Sequence, residues 1–292
     1  MQILISKLPL SGWWQDGIPK YDDNPAMVEG AIPDLNILNK ERTTLISIIK
    51  ENGHKVIELD FPVELDGPNP KHDFVFIRDS FISDQNGTAI ILRAGEISRR
   101  IENHVIKDSL KSLGMKIKEI PDRPGIRADG GEFYYCAKDK ILFCGVQRNT
   151  MMGANYVADA LNVNEMIMLK GEGYHLDTFF SPCLDIDGRI AALIICKTTL
   201  SNNSKKILHD FANAKNIPLF DIPTDDAIGT THKLGTLAAN ALPLPGILIR
   251  PDYFSNPTID EKLKDLGIKT IVTSTSQFQL SGGSIHCITN EL

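Results

Sequence analysis

Apolar residues along this chain come in two alternating rhythms. Short apolar runs with strand character occur at "TAIILR" (Thr88–Arg93), "KILFCG" (Lys140–Gly145), "RIAALII" (Arg189–Ile195) and "GILIR" (Gly246–Arg250). Each follows another short run across a tight turn: Asn86-Gly87, Lys138-Asp139, Asp187-Gly188 and Pro245-Gly246. These dipeptides are hairpin chemistry. Helical spacing comes next. In "SRRIENHVIKDSLKSLG", Ile101, Val105, Ile106, Leu110 and Leu113 fall along one helix face, and Gly114 can end it. "NTMMGANYVADALN" and "SNNSKKILHDFANAKN" read the same way, the latter opening on Ser or Asn caps, and "PTIDEKLKDLG" predicts a short helix ending at Gly267. A further short strand comes before each unit, in "KVIELD", "KIKEI", "NEMIML", "IPLFDI" and "TIVTST".

The module is therefore strand, strand, helix, strand, recurring at roughly 50 residues, a period that belongs to radial repeat architectures. A fifth unit opens at "GGSIHCIT" and stops with the chain, and "MQILISKLP" at the other end has the pattern to complete it. Such completion would close a ring and remove a sheet edge. No linker or low-complexity segment interrupts residues 1–292, which read as a single domain.

Composition narrows the function. A net charge of −6 is a poor footprint for nucleic acid. The apolar fraction of 42% and charged fraction of 23% are those of a globular protein, and neither a signal peptide nor a membrane span is expected. Five cysteines, Cys136, Cys144, Cys183, Cys196 and Cys287, follow no zinc-type spacing, which points to free thiols in a reducing, cytoplasmic setting without a metal. The first four read as structural.

Unusual chemistry gathers where the modules begin: Asp79, Asp129, His175 with Asp177, and Cys287 behind Gly282-Gly283. Taken singly, each has a plain structural explanation. If modules surround an axis, their equivalent positions converge on it. His175 and Asp177 alternate across Leu176, so both are expected on one face of a strand, with His286 facing away from Cys287. A cysteine nucleophile needs an electrophilic carbon and an acid–base partner, which His175 provides. Carboxylates around a thiol raise its pKa unless the substrate brings positive charge. A guanidinium brings that charge, an electrophilic carbon and a planar fork for bidentate carboxylates. Arg99, Arg100 and Arg148 are then candidates for holding a carboxylate at the far end of the substrate.

In this order, "DFVFIRD", "LRAGEISRR", "DGGEF", "RNTMMGAN", "YHLDTF" and "GGSIHC" resemble the guanidino-group modifying superfamily, which includes arginine deiminases, agmatine deiminases, dimethylarginine dimethylaminohydrolases and amidinotransferases. The resemblance runs from about Asp73 to Cys287. It implies a five-bladed α/β propeller, the pentein fold, of ββαβ modules with pseudo-fivefold symmetry. It also implies roles: Cys287 attacks the guanidinium carbon, His175 protonates the leaving amine and then activates water, and Asp129 supports the histidine. Asp79 and Asp177 grip the guanidinium nitrogens, while Asp73, Arg99 and Arg148 hold the amino-acid end. One departure stands out. The family's glycine pair is commonly bracketed Glu-Gly-Gly-Asp; here it reads Asp129-Gly130-Gly131-Glu132, with the acids exchanged and the first one methylene shorter.

The sequence thus predicts an enzyme, a cofactor-free and metal-free hydrolase of a small guanidino compound working through a covalent cysteine intermediate. Free arginine, giving citrulline and ammonia, is the favoured substrate. The alternatives are dimethylarginine hydrolysis, arginine dihydrolysis to ornithine, amidino transfer and, in another class, a non-catalytic propeller that only binds. No nucleic-acid or membrane partner is expected, and homo-oligomer formation is left open.

Overall fold

The computed structural model describes residues 1–13, 25–67, 70–230 and 233–292. Its N-terminal part runs through strand β1 (Gln2–Ser6), the short helix α1 (Pro25–Val28), the long helix α2 (Leu35–Glu51) and strand β2 (Lys55–Leu59). Helix α2 starts where the Asp34 carboxylate accepts from the amides of Asn36 and Ile37, and it buries Leu38, Leu45, Ile46 and Ile49. The sequence pattern did not single out this helix.

Four modules follow with one plan. The first comprises β3 (Phe81–Ser83), β4 (Thr88–Ile91), α3 (Glu102–Ser112) and β5 (Lys116–Glu119). The second comprises β6 (Phe133–Cys136), β7 (Ile141–Gly145), α4 (Met151–Leu161) and β8 (Glu165–Leu169). The third comprises β9 (Phe180–Leu184), β10 (Ile190–Ile195), α5 (Asn202–Lys215) and β11 (Leu219–Asp221). A small hairpin, β12 (Gly229–Thr230) with β13 (Lys233–Leu234), precedes the fourth: β14 (Leu242–Leu244), β15 (Ile247–Arg250), α6 (Thr258–Asp265) and β16 (Lys269–Val272). In each module the first two strands pair antiparallel and the third joins the second in parallel. The helix makes the crossover that parallel pairing requires.

The fifth sheet joins the two ends of the chain. Strand β17 (Asn290–Glu291) pairs antiparallel with β1, which pairs in parallel with β2, so the order is β17-β1-β2. The expected completion of the last module by the N-terminal strand is what the structure shows. Turn chemistry matches as well: Gly87, Gly188 and Gly246 sit at positive φ in the hairpins, and Gly114 and Gly267 end helices in the same way. Four apolar clusters fill the space between sheets and helices. All five cysteines are buried and unpaired, Cys136, Cys144 and Cys183 within strands and Cys196 just beyond one. No helix among the described residues is long and apolar enough to cross a membrane.

Candidate active site

The segments leading into the modules are not strands, which corrects the expectation for His175–Asp177 and for His286–Cys287. Short 3-10 turns cover Ile77–Ser80, Gly130–Glu132 and Leu176–Thr178, immediately before β3, β6 and β9. Residues 285–288 also form a turn, with the Ile288 amide bonded to the Ser284 carbonyl. A turn aims successive side chains in different directions. His175 therefore lines the main cavity, while Asp177 passes behind it, and His286 and Cys287 both reach Asp177 instead of facing apart.

That cavity, of about 1180 Å³, is walled by Asp73, Asp79, Arg99, Arg148, His175 and Cys287 of the residues predicted from sequence. They come from the approaches to three modules and from the segments leading into α3 and α4. Asp129, Asp177 and Arg100 are not in its wall. Arg100 donates to the Ala94 carbonyl. Asp177, fully buried, accepts from Cys287 Sγ at 3.5 Å through Oδ2, which also lies 2.8 Å from His286 Nδ1; its other oxygen has no partner. Asp129 Oδ2 accepts the Gly95 amide at 3.0 Å. The carboxylate facing His175 Nδ1 is that of Asp79, at 3.7 Å. With its shorter side chain and its Gly95 contact, Asp129 acts on the histidine through its charge.

Several close approaches explain the glycines. A Cβ on Gly131 would stand 2.5 Å from His175 Nδ1, and one on Gly283 would run into the Phe76 ring. The segment before Cys287 is therefore packed, not loose. Asn240, two residues ahead of β14, completes the thiol's surroundings. Its Oδ1 accepts from the amides of His286 and Cys287, and its Nδ2 donates to Cys287 Sγ at 3.2 Å. Sequence reasoning missed Asn240, although it stands at the same offset from its strand as Asp79 does from β3.

Charge is arranged around that thiol. Burial, then Asp177 and Asp79, pushes Cys287 well above the ordinary thiol range. Burial likewise raises Asp177, with Asp79 adding to it, and lowers His175, so the imidazole is held neutral. Asp79 stays low despite its burial because Arg99 and the Gly131 amide favour its charged form. Arg99 is committed to the protein: Nε and Nη2 meet Glu102 at 2.9 and 3.0 Å, Nη1 meets Asp79, and Nη2 also reaches the Asp73 carbonyl. Burial raises Glu102 to about 7 against that pairing.

Glu132, the exchanged acid of the glycine motif, has a different task. Its two oxygens accept the amides of Arg148 at 2.7 Å and Leu176 at 2.8 Å, fastening the segments that carry Arg148 and His175. Gly145 leaves the room that this carboxylate occupies. Glu132→Gln presents an amide N–H to one of those donors. We expect a loss of about 1–3 kcal/mol in denaturant unfolding, the cost of a buried group left unsatisfied. Turnover should fall along with it. An unchanged midpoint would remove this fastening role.

The sequence matches no protein-family model. Among solved structures the fold is similar to that of ArgZ, an arginine dihydrolase from the ornithine–ammonia cycle in cyanobacteria, with a TM-score of 0.78 at 20% identity. The match covers 99% of this chain and 40% of that one, so the chain spans about two fifths of that enzyme's length. The N-terminal domain of ArgZ, in a cysteine-to-serine variant bound to substrate, matches at TM-score 0.78 and 21% identity over 99% of this chain and 96% of that one. Dimethylarginine dimethylaminohydrolase from Pseudomonas aeruginosa, in a cysteine-to-serine variant complexed with citrulline, matches at TM-score 0.72 and 18% identity over 100% and 98%. These likenesses establish a shared fold.

Proposed function

We propose that this chain is a hydrolase of small guanidino compounds, acting on free arginine through a covalent Cys287 intermediate. The five sheets are read as five blades around one axis, which accounts for residues distant in sequence meeting in one cavity. The observation that carries the reading is a buried thiol and a neutral imidazole set among buried carboxylates. Arg99 in the cavity wall is already engaged by Glu102 and Asp79, and a substrate guanidinium supplies a further cation beside the thiol. Its charge offsets Asp79 and Asp177 and makes the thiolate accessible. The S–H proton passes to His175, the C–S bond forms, and His175 returns the proton to the nitrogen that departs as ammonia. His175 then takes a proton from water as the C–O bond forms, and the C–S bond breaks to give citrulline and the restored thiol. Arg99 holds Asp79 in place, while Arg148 and Asp73 take the amino-acid end. Asp129 supports His175 at a distance.

Substrate choice follows from counting hydrogen bonds. A guanidinium offers five N–H donors in a fixed fork. Asp79, in the cavity wall, accepts from that fork. Dimethylation of one nitrogen deletes both of its donors beside a buried carboxylate, which costs roughly 1–3 kcal/mol, or about fivefold to 150-fold, before the added bulk of the methyl groups. We expect kcat/KM for arginine to exceed that for asymmetric dimethylarginine at least about tenfold. Agmatine, without a carboxylate for Arg148, should also be poorer. Product formation from the three at equal concentration decides it, and faster turnover of dimethylarginine would reverse the assignment. The fold shared with an arginine dihydrolase supports a second reading, ornithine as the product. Product mass separates it from citrulline.

A further inference from the structure

Tyr174 was not singled out from the sequence, yet it lines the cavity beside His175, with ring centroids 5.3 Å apart. Arg148 lies over its ring at 5.7 Å. Its hydroxyl is sealed from solvent and makes no hydrogen bond within the protein. Among the other buried atoms in that condition are His175 Nε2 and Asp177 Oδ1. Burial, followed by the charges of Cys287, Asp177 and Asp79, holds the phenolic proton on, so the hydroxyl remains a donor. A buried hydroxyl without a partner is costly; Tyr174 and His175 line the cavity with Cys287, and Asp177 accepts from its Sγ, so all three residues belong to the thiol's surroundings.

The set comprises two acceptors, the neutral imidazole nitrogen and the carboxylate oxygen, and one hydroxyl that donates and accepts. A guanidinium has only donors and leaves the phenolic O–H unmet. Water, with two donors and two lone pairs, can use all three, and a buried water typically makes about three hydrogen bonds. We propose that the Tyr174 hydroxyl holds the water that resolves the Cys287 intermediate. The inference rests on the covalent reading above. Tyr174 donates to one lone pair of the water. His175 takes a water proton as the other lone pair forms the C–O bond. The C–S bond then breaks and its electron pair returns to Sγ. Tyr174 itself neither gains nor loses a proton.

The test separates formation of the intermediate from its decay. Wild type and Tyr174→Phe are mixed with arginine in a single turnover, quenched in acid over time, and the Cys287 peptide is weighed. Phenylalanine keeps the ring beneath Arg148, and thermal melting checks the fold. The expected result is adduct formation at the wild-type rate, with decay slowed about tenfold or more, the loss of one hydrogen bond to a reacting group. Decay at the wild-type rate, or formation and decay slowed equally, would overturn the role of Tyr174 while leaving the covalent mechanism in place. Absence of any adduct and any product in wild type would overturn both.

Discussion

Cys287→Ser should lower arginine turnover by at least about 10⁴-fold, in line with removing the nucleophile of a unit that acts together. Oxygen is smaller than sulfur and fits the space it leaves, and Asn240 and Asp177 both still face a hydroxyl in place of the thiol. The fold and arginine binding should therefore persist. The cause is acidity: burial and two carboxylates already push this position far up for a thiol, and a hydroxyl starts several units higher. Bound guanidinium can bring the thiol within reach of His175 but not the hydroxyl. Binding of arginine measured by calorimetry, alongside turnover, checks both halves. A serine variant with activity near wild type would end the covalent account.

His175→Ala is the second large effect. General acid–base catalysis typically contributes about 10²–10⁴-fold, and this imidazole is asked to serve both half-reactions. The loss should fall mainly on kcat, because the guanidinium is held by carboxylates. Burial lowers the histidine's pKa, with Asp79 opposing, so it is neutral at pH 7 and ready to accept a proton. A variant within threefold of wild type would assign the proton transfers elsewhere. Neighbouring His286, stacked on Tyr134 at 4.2 Å and placed against Asp177, would be the next candidate.

Module order, hairpin turns and the completion of the fifth sheet were legible in the sequence because hydrophobic period and turn residues encode them locally. So were Cys287, His175 and Asp79, since their residue types stand out at repeated positions. Side-chain direction was not legible. Reading "HLD" and "IHC" as strand placed Asp177 beside His175 and sent His286 away from Cys287, whereas the turns at 176–178 and 285–288 bring His286, Cys287 and Asp177 together. Turns of three residues leave no periodicity to read. Asn240 was hidden among alanines in "LAANAL", and its value lies in contacts 47 positions away. Glu132 was visible in the motif, but its task depends on Gly145 leaving space across β6–β7. Arg99 was selected for its charge, and only the fold reveals Glu102 and Asp79 closing on it.

The central claim is that Cys287 bonds covalently to the guanidinium carbon. It is tested most directly by acid-quenching the wild-type protein during arginine turnover and locating added mass by peptide mass spectrometry. The expected result is an amidino adduct on Cys287, absent without arginine and absent in the serine variant. Steady product formation with an unmodified Cys287 at every quench time, or an adduct on another residue, would contradict it.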